Sequence, residues 1–240
     1  MGSRLYEDTF MQRITVITLH PHVFEAYGQF GVVRRAVQLG AIDLRFVQLR
    51  DFAIDRHGSV DDRPYGGGDG MVLRPEPLAN AVEAHRTPNA HIIAFSPGGT
   101  HWTQPCATQL QTEGRDLILL CGRFAGMDQR FLDLYVETQI SLGDFVLSGG
   151  EIPALAILDS LVRGYPGVLG HADSATQDSF ASGMNYGLEH PLYTRPEIFA
   201  GLEVPPVLRS GDHAAIDTWR KEQSEAMTRK YRADLLPPKT

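Results

Sequence analysis

Cysteine is nearly absent from this chain: its 240 residues hold two, Cys106 and Cys121. Two cysteines at that spacing make neither a zinc-ligand pattern nor a disulfide framework. The nine histidines form no HExxH or HxxxH pair, so no structural zinc is expected and no residue is assigned as a metal ligand. Long apolar runs are missing as well. None approaches the ~20 residues of a membrane span, and residues 1–10 (MGSRLYEDTF) lack the apolar centre of a secretory signal. A reducing cytoplasm is the expected compartment, with no membrane partner. Met11 opens a better start, MQRITVITLHP, so residues 1–10 read as a leader or tag-like segment and take no part in fold reasoning. Basic charge is short: 22 Lys and Arg against 29 Asp and Glu leave a net charge of −7. That balance argues against an extended nucleic-acid coat but leaves room for a local basic patch. Three familiar motifs are also missing: GxGxxG after a first strand, GxxxxGK[ST], and GxSxG. The GGGDG run at 66–70 lacks the lysine that would hold a phosphate. The usual dinucleotide, P-loop and hydrolase sites are thereby excluded at motif level. No internal repeat or low-complexity tract is present.

What is present is an alternation of strands and helices. Apolar, β-branched runs at 13–19, 43–49, 90–95 and 116–121 read as strands, and TQISL at 138–142 as a fifth. Helical spacing predicts helices starting near Pro21, over the Val32–Leu39 positions up to Gly40, and over 75–85, 104–112 and 151–163. This pattern implies an α/β fold: a mostly parallel sheet with helices on its faces. Residues 51–70 form a long polar, glycine-rich loop, a length more often functional or mobile than accidental. From 168 to about 185 the periodicity fades. The expected organisation is a main domain over 11–169, a linker over 170–185 and a small C-terminal helical domain over 186–240. The clearest element of that last domain is a helix from about 212 to 231, with Ile216, Trp219, Gln223, Met227 and Tyr231 along one face. Its basic residues are matched by nearly as many acids, so a solvated amphipathic face explains them as well as nucleic-acid binding does.

The densest chemistry lies in 119–151, LLCGRFAGMDQRFLDLYVETQISLGDFVLSGGE. Two strands there end in glycine, which lets a backbone approach a ligand closely, although glycine after a strand is also ordinary turn chemistry. Together with Phe95-Ser96-Pro97, three glycine-edged strand ends could meet at the carboxyl edge of a parallel sheet, where ligands collect. Backbone groups there, with Leu142, Phe145 and Leu147 as apolar walls, suit an adenine-like ring.

The stretches DRPYGGG, CGR, SLGDFVLSGGE, PGVLG, QDSF and LYTRPEIFAGLEVPPVLRSGDHAAIDTWR resemble the bacterial tRNA (guanine(37)-N1)-methyltransferase family, TrmD. The resemblance runs from Met11 to about Leu235, with several motifs in the same order at matching distances. It implies the knotted SPOUT methyltransferase fold, a homodimer with active sites at the subunit interface, and S-adenosylmethionine as methyl donor. It implies transfer of that methyl to N1 of the guanine 3′ of the anticodon, with the tRNA anticodon stem-loop as partner. The donor-binding residues carried over are Phe95, Ser96 and Pro97; Gly122, Arg123, Phe124 and Gly126; Ser141, Leu142, Gly143, Asp144, Phe145, Val146 and Leu147; and Gly149 and Gly150. The carried-over base is Asp178, which would take the N1 proton as the lone pair is used. Arg163 would face the charge that builds on guanine O6. Taken alone, Asp178 reads as a turn-capping aspartate and Arg163 as a cation on a helix C-terminus. Asp61, Arg63, Tyr65 and Gly68 match the stretch around the target base, and Arg195 a tRNA-backbone contact. An unpaired loop base is accessible and splays out at a cost of a few kcal/mol.

The chain departs from the family at CGRFAG, where CGRYEG is usual: Phe124 stands for a tyrosine and Ala125 for a glutamate thought to contact the target guanine. Asp69 stands where GGGPG has proline. Mg²⁺ is associated with the family, and with no carboxylate cage in this sequence it would be held by few protein ligands. Beside the enzyme reading stand two others: a catalytically weakened relative that binds the donor or tRNA, favoured by Ala125, and a SPOUT enzyme methylating another RNA position.

Overall fold

In a computed structural model, residues 11–170 and 174–236 are described; the leader reading of 1–10 lies outside them. Two compact units divide the chain, Met1–Leu169 and Gly170–Thr240.

The first unit runs β1 (Gln12–Thr18), α1 (Pro21–Tyr27), α2 (Gly31–Gln38), β2 (Ile42–Gln48), β3 (Asp61–Asp62), β4 (Val72–Leu73), α3 (Pro75–His85), β5 (His91–His101), α4 (Gln104–Glu113), β6 (Leu117–Leu120), α5 (Gln129–Tyr135), β7 (Thr138–Ser141) and α6 (Glu151–Val162). Five strands form one sheet in the order β2-β1-β6-β5-β7, and every pairing is parallel. The central strand β6 is buried along its whole length, as expected where helices cover both faces of a parallel sheet. Alternate residues feed two cores. Leu117, Leu119 and Cys121 point with Ile14, Val16 and Ile93 toward α1, α2, α4 and α6. Ile118 and Leu120 point with Ile17 and Ile92 toward α3 and α5. The α/β sandwich expected from alternation is therefore present. α3 starts with proline in its first turn, where the missing N–H leaves nothing unsatisfied.

One strand differs from expectation. β5 does not stop at Phe95; it continues to His101, with a register shift against β7 between Phe95 and Thr100. Ser96-Pro97-Gly98-Gly99 reads as a turn in sequence because proline and glycine punctuate strands. Here these residues form a bulge. A Cβ on Gly99 would stand 2.6 Å from the Ile140 backbone, so only glycine lets the strand close up again on β7.

In the second unit follow α7 (Ser174–Gln177), the hairpin β8 (Ile198–Phe199) and β9 (Leu202–Glu203), and α8 (His213–Tyr231). Asp212 caps α8 by accepting a hydrogen bond from Ala215 N at 3.1 Å. Ile216, Trp219, Gln223 and Met227 are half-buried as a face, Tyr231 is exposed, and the two buried residues are Ser224 and Thr228. The described part of the stretch read as a linker is folded: it holds α7 and a 3-10 turn at Ser182–Met184.

Candidate active site

The bulge within β5 and the loops that leave the carboxyl ends of β6 and β7 converge on a cleft of about 390 Å³. Its wall is formed by residues 95–97, 122–127, 139–143, 145–150 and Pro153, with Gln129 and Leu132 from α5. Hydrogen bonds knit these loops together. Gly150 N donates to Gly122 O at 2.8 Å, and Arg123 pairs with Gly149 as an antiparallel bridge. A Cβ on Gly150 would fall 2.6 Å from Cys121 Cα, so this contact between two chain segments requires glycine. The loop after β6 is also tied to the segment leading into α3. Ala125 N donates to Met71 O at 2.8 Å, Leu73 N to Gly126 O at 2.9 Å and Asp128 N to Leu73 O at 3.0 Å. Beyond β7, Ser141 Oγ and Gly143 hold each other through two 3.2 Å hydrogen bonds.

A buried ion pair underlies the cleft. Glu151, in the first turn of α6, is only 4 % exposed. Its carboxylate lies 3.1 Å from Arg123 Nε and accepts a hydrogen bond from Thr18 Oγ1 at 2.9 Å. An acid in the first turn also meets the positive end of the helix dipole. Arg123 Nη1 reaches Ser148 O at 3.4 Å, so one guanidinium spans the loops after β6 and before α6. Beside them, burial first and then the Glu151 charge push the Cys121 thiol well above its usual range. Cys121 is a buried, packed side chain, an environment that disfavours the thiolate.

A sequence profile described as tRNA (Guanine-1)-methyltransferase TrmD matches residues 12–238. The chain belongs to this family. A relative from Alcanivorax borkumensis is 51% identical over 225 residues, covering 93% of this chain and 84% of its own length. Others from Halorhodospira halophila and Geobacter sulfurreducens are 48% identical over 228 residues and 45% over 226, covering 94% and 93% of this chain and 85% and 91% of theirs. All three are named tRNA (guanine-N(1)-)-methyltransferase.

Set against the TrmD resemblance, the donor residues named from sequence gather around this cleft, with one exception. Asp144 is not in the wall; its carboxylate stands 3.5 Å from His101 Nε2 on the exposed side. Sequence reasoning missed Met127, Gln129, Leu132, Gln139, Ile140, Ser148 and Pro153, which complete the wall. It also missed Glu151. The available signal was an acid directly after Ser-Gly-Gly at the start of an otherwise apolar helix. Of the target-base candidates, Asp61 lies in β3 opposite Leu73, while Arg63 and Gly68 are exposed and Tyr65 is 99% exposed. The same loop returns to the cleft at Gly70, where a Cβ would lie 3.6 Å from Ala125 Cβ.

Arg163 is the C-cap of α6. Twelve helical residues separate it from the cleft end at Glu151, about 18 Å at the rise of an α-helix. Asp178 and Arg195 belong to the second unit, where Asp178 follows α7 and its carbonyl accepts from Ala181 N at 3.2 Å. Among the described residues, no three His, Cys, Asp or Glu side chains come together as a metal cage, and no helix is long and apolar enough to cross a membrane.

Proposed function

We propose that this chain transfers a methyl group from S-adenosylmethionine to N1 of the guanine 3′ of the anticodon in tRNA. The observation that carries the reading is the convergence of the β5 bulge and the loops after β6 and β7 on one cleft in a chain of the TrmD family. The wall fits the donor. Ile140, Leu142, Phe145 and Leu147 offer an apolar face for a purine ring, and Ser96, Gln139 and the glycine backbones offer hydrogen-bonding groups. When bound, S-adenosylmethionine supplies a methyl on a sulfonium, an electrophile suited to a ring nitrogen.

In this reading Asp178 takes the proton from guanine N1 and frees its lone pair. Arg163 stands over O6 and offsets the negative charge that develops there. The loop bearing Asp61, Arg63, Tyr65 and Gly68, which reaches the cleft lip at Gly70, holds the splayed base. Arg195 contacts the tRNA backbone. Arg163 sits at the far end of α6 from its own cleft, so the reading takes the chain to be a homodimer in which one subunit's Arg163 serves the other's cleft. The knotted threading of the SPOUT fold through the cleft loops belongs to the same proposal. So do a cytoplasmic setting and any Mg²⁺, which would act with few protein ligands.

Ala125 favours a second reading, a relative that binds donor and tRNA but turns over slowly. Ala125 lines the cleft, so the missing carboxylate would be felt there. Single-turnover methylation of unmodified tRNA separates the two. The enzyme reading expects one methyl per site within the assay, and binding without transfer favours the second reading. An Ala125→Glu variant that gains rate shows that the carboxylate is missed.

A further inference from the structure

The segment that follows Asp178 is held more tightly than its sequence suggests. Five described residues other than glycine have positive φ, and three of them are Phe180 (68°), Asn185 (50°) and Tyr186 (61°). Such conformations persist only where the surroundings over-determine them. The surroundings here come from α8. Its two buried residues, Thr228 and Ser224, are hydroxyls, 2% and 8% exposed, at positions where an amphipathic helix ordinarily places aliphatic side chains. Leu188 N donates to Thr228 Oγ1 at 2.8 Å, and Ser224 Oγ donates to Leu188 O at 2.5 Å. Both backbone groups of Leu188 are thus fixed to the helix. Thr228 Oγ1 also donates to Ser224 O at 2.8 Å, which orients its lone pair toward Leu188. Gly187 allows this approach: a Cβ there would stand 2.8 Å from Thr228 Oγ1.

The neighbours of Leu188 hold the segment next to Asp178. Phe180 N donates to Gly187 O at 2.7 Å, and Glu189 N donates to Ser179 Oγ at 3.0 Å. Ala181 N closes a turn on the Asp178 carbonyl at 3.2 Å. On the other side of Phe180, the Arg232 guanidinium lies over its ring at 5.5 Å. A continuous path of hydrogen bonds therefore runs from two hydroxyls on α8, through residues 187–189, to the backbone flanking Asp178.

We infer that Thr228 and Ser224 are positioning residues for Asp178: they fix the backbone that presents its carboxylate. The inference rests on the reading of Asp178 as the base. Both hydroxyls are buried against the backbone of Leu188. Their effect is on rate, because displacing a reacting group by about 1 Å can cost about 100-fold.

The test uses the full chain with saturating tRNA and S-adenosylmethionine, and reads the single-turnover rate constant. Thr228→Val keeps the shape and removes the acceptor; it is expected to lower that constant about 10- to 100-fold, with donor and tRNA affinity unchanged. Thr228→Ser is expected to recover most of the rate. Ser224→Ala, the milder second variant, is expected to show the same rate-only loss to a smaller degree, and it decides the matter if Thr228→Val does not fold. An undiminished rate in folded Thr228→Val or in Ser224→Ala, with Asp178→Ala inactive, overturns the positioning role and leaves the base assignment standing. An active Asp178→Ala chain overturns the base assignment itself.

Discussion

Removing Arg123 should destabilise the first unit more than neutralising its partner, and the asymmetry can be worked from the geometry. The Glu151 side chain is 6% exposed and that of Arg123 is 28% exposed, with 3.1 Å between Arg123 Nε and the carboxylate. Arg123→Met leaves a buried carboxylate with the Thr18 hydroxyl donating to it at 2.9 Å. Breaking a buried pair in this way costs about 3–5 kcal/mol. Glu151→Gln keeps the shape and the Thr18 bond, and strands a guanidinium that already reaches water; its cost is about 1–2 kcal/mol. With both partners gone, neither charge is stranded, so the double variant should fall short of the summed losses by about 1.5 kcal/mol or more. The assay is urea unfolding followed by Trp102 fluorescence in a Trp219→Phe background, since these are the chain's two tryptophans and Trp102 lies in the first unit. Equal losses for the two single variants, or strict additivity in the double, would refute the claim that this pair is a buried, coupled unit.

Four further outcomes are expected. Asp178→Ala should abolish methyl transfer while S-adenosylmethionine binding by calorimetry stays near wild type; retained turnover removes Asp178 from the mechanism. Gly150→Ala drives a methyl to 2.6 Å from Cys121 Cα, so stability should fall by about 1–3 kcal/mol and donor affinity with it, and a neutral result would mean the loop contact is not tight. Mixing a donor-binding-dead Gly150→Ala chain with an Asp178→Ala chain should restore part of the activity if sites are shared between subunits; no recovery in proven mixed dimers argues against sharing. Burial holds the His91 and His85 imidazoles below their usual range, aided by the charges of Arg115 and Arg45 respectively. The unfolded chain then binds protons that the folded chain does not, so stability is full above pH ~6.5 and declines as pH falls below it. A His91→Gln variant whose thermal midpoint falls with pH as steeply as wild type between pH 7.5 and 5.5 would remove His91 from that account.

The elements most legible in the sequence were those with terminal punctuation. Pro75 opens α3 and Asp212 caps α8, and both helices fall where the spacing places them. The four apolar, β-branched runs and TQISL became the five strands of the sheet, most plainly at β6, which is buried along its whole length. The cleft was legible because glycines at strand ends marked it. Other features were hidden for identifiable reasons. The continuation of β5 depends on Gly99 meeting Ile140, a contact between segments far apart in the chain. Glu151 drew no assignment from sequence because its partner, Arg123, comes from another loop. Ser224 and Thr228 lack the apolar signature of a buried face, since what they bury is the backbone of Leu188. Residues 170–185 read as a linker because the order of their described part comes from turns and backbone hydrogen bonds rather than from periodic side chains.

The most direct measurement is nucleoside mapping after reaction of this chain with methyl-labelled S-adenosylmethionine and an unmodified tRNA transcript carrying guanine 3′ of the anticodon. Label recovered as N1-methylguanosine at that position is the expected result. No transfer, or label on any other atom or nucleotide, would contradict the account.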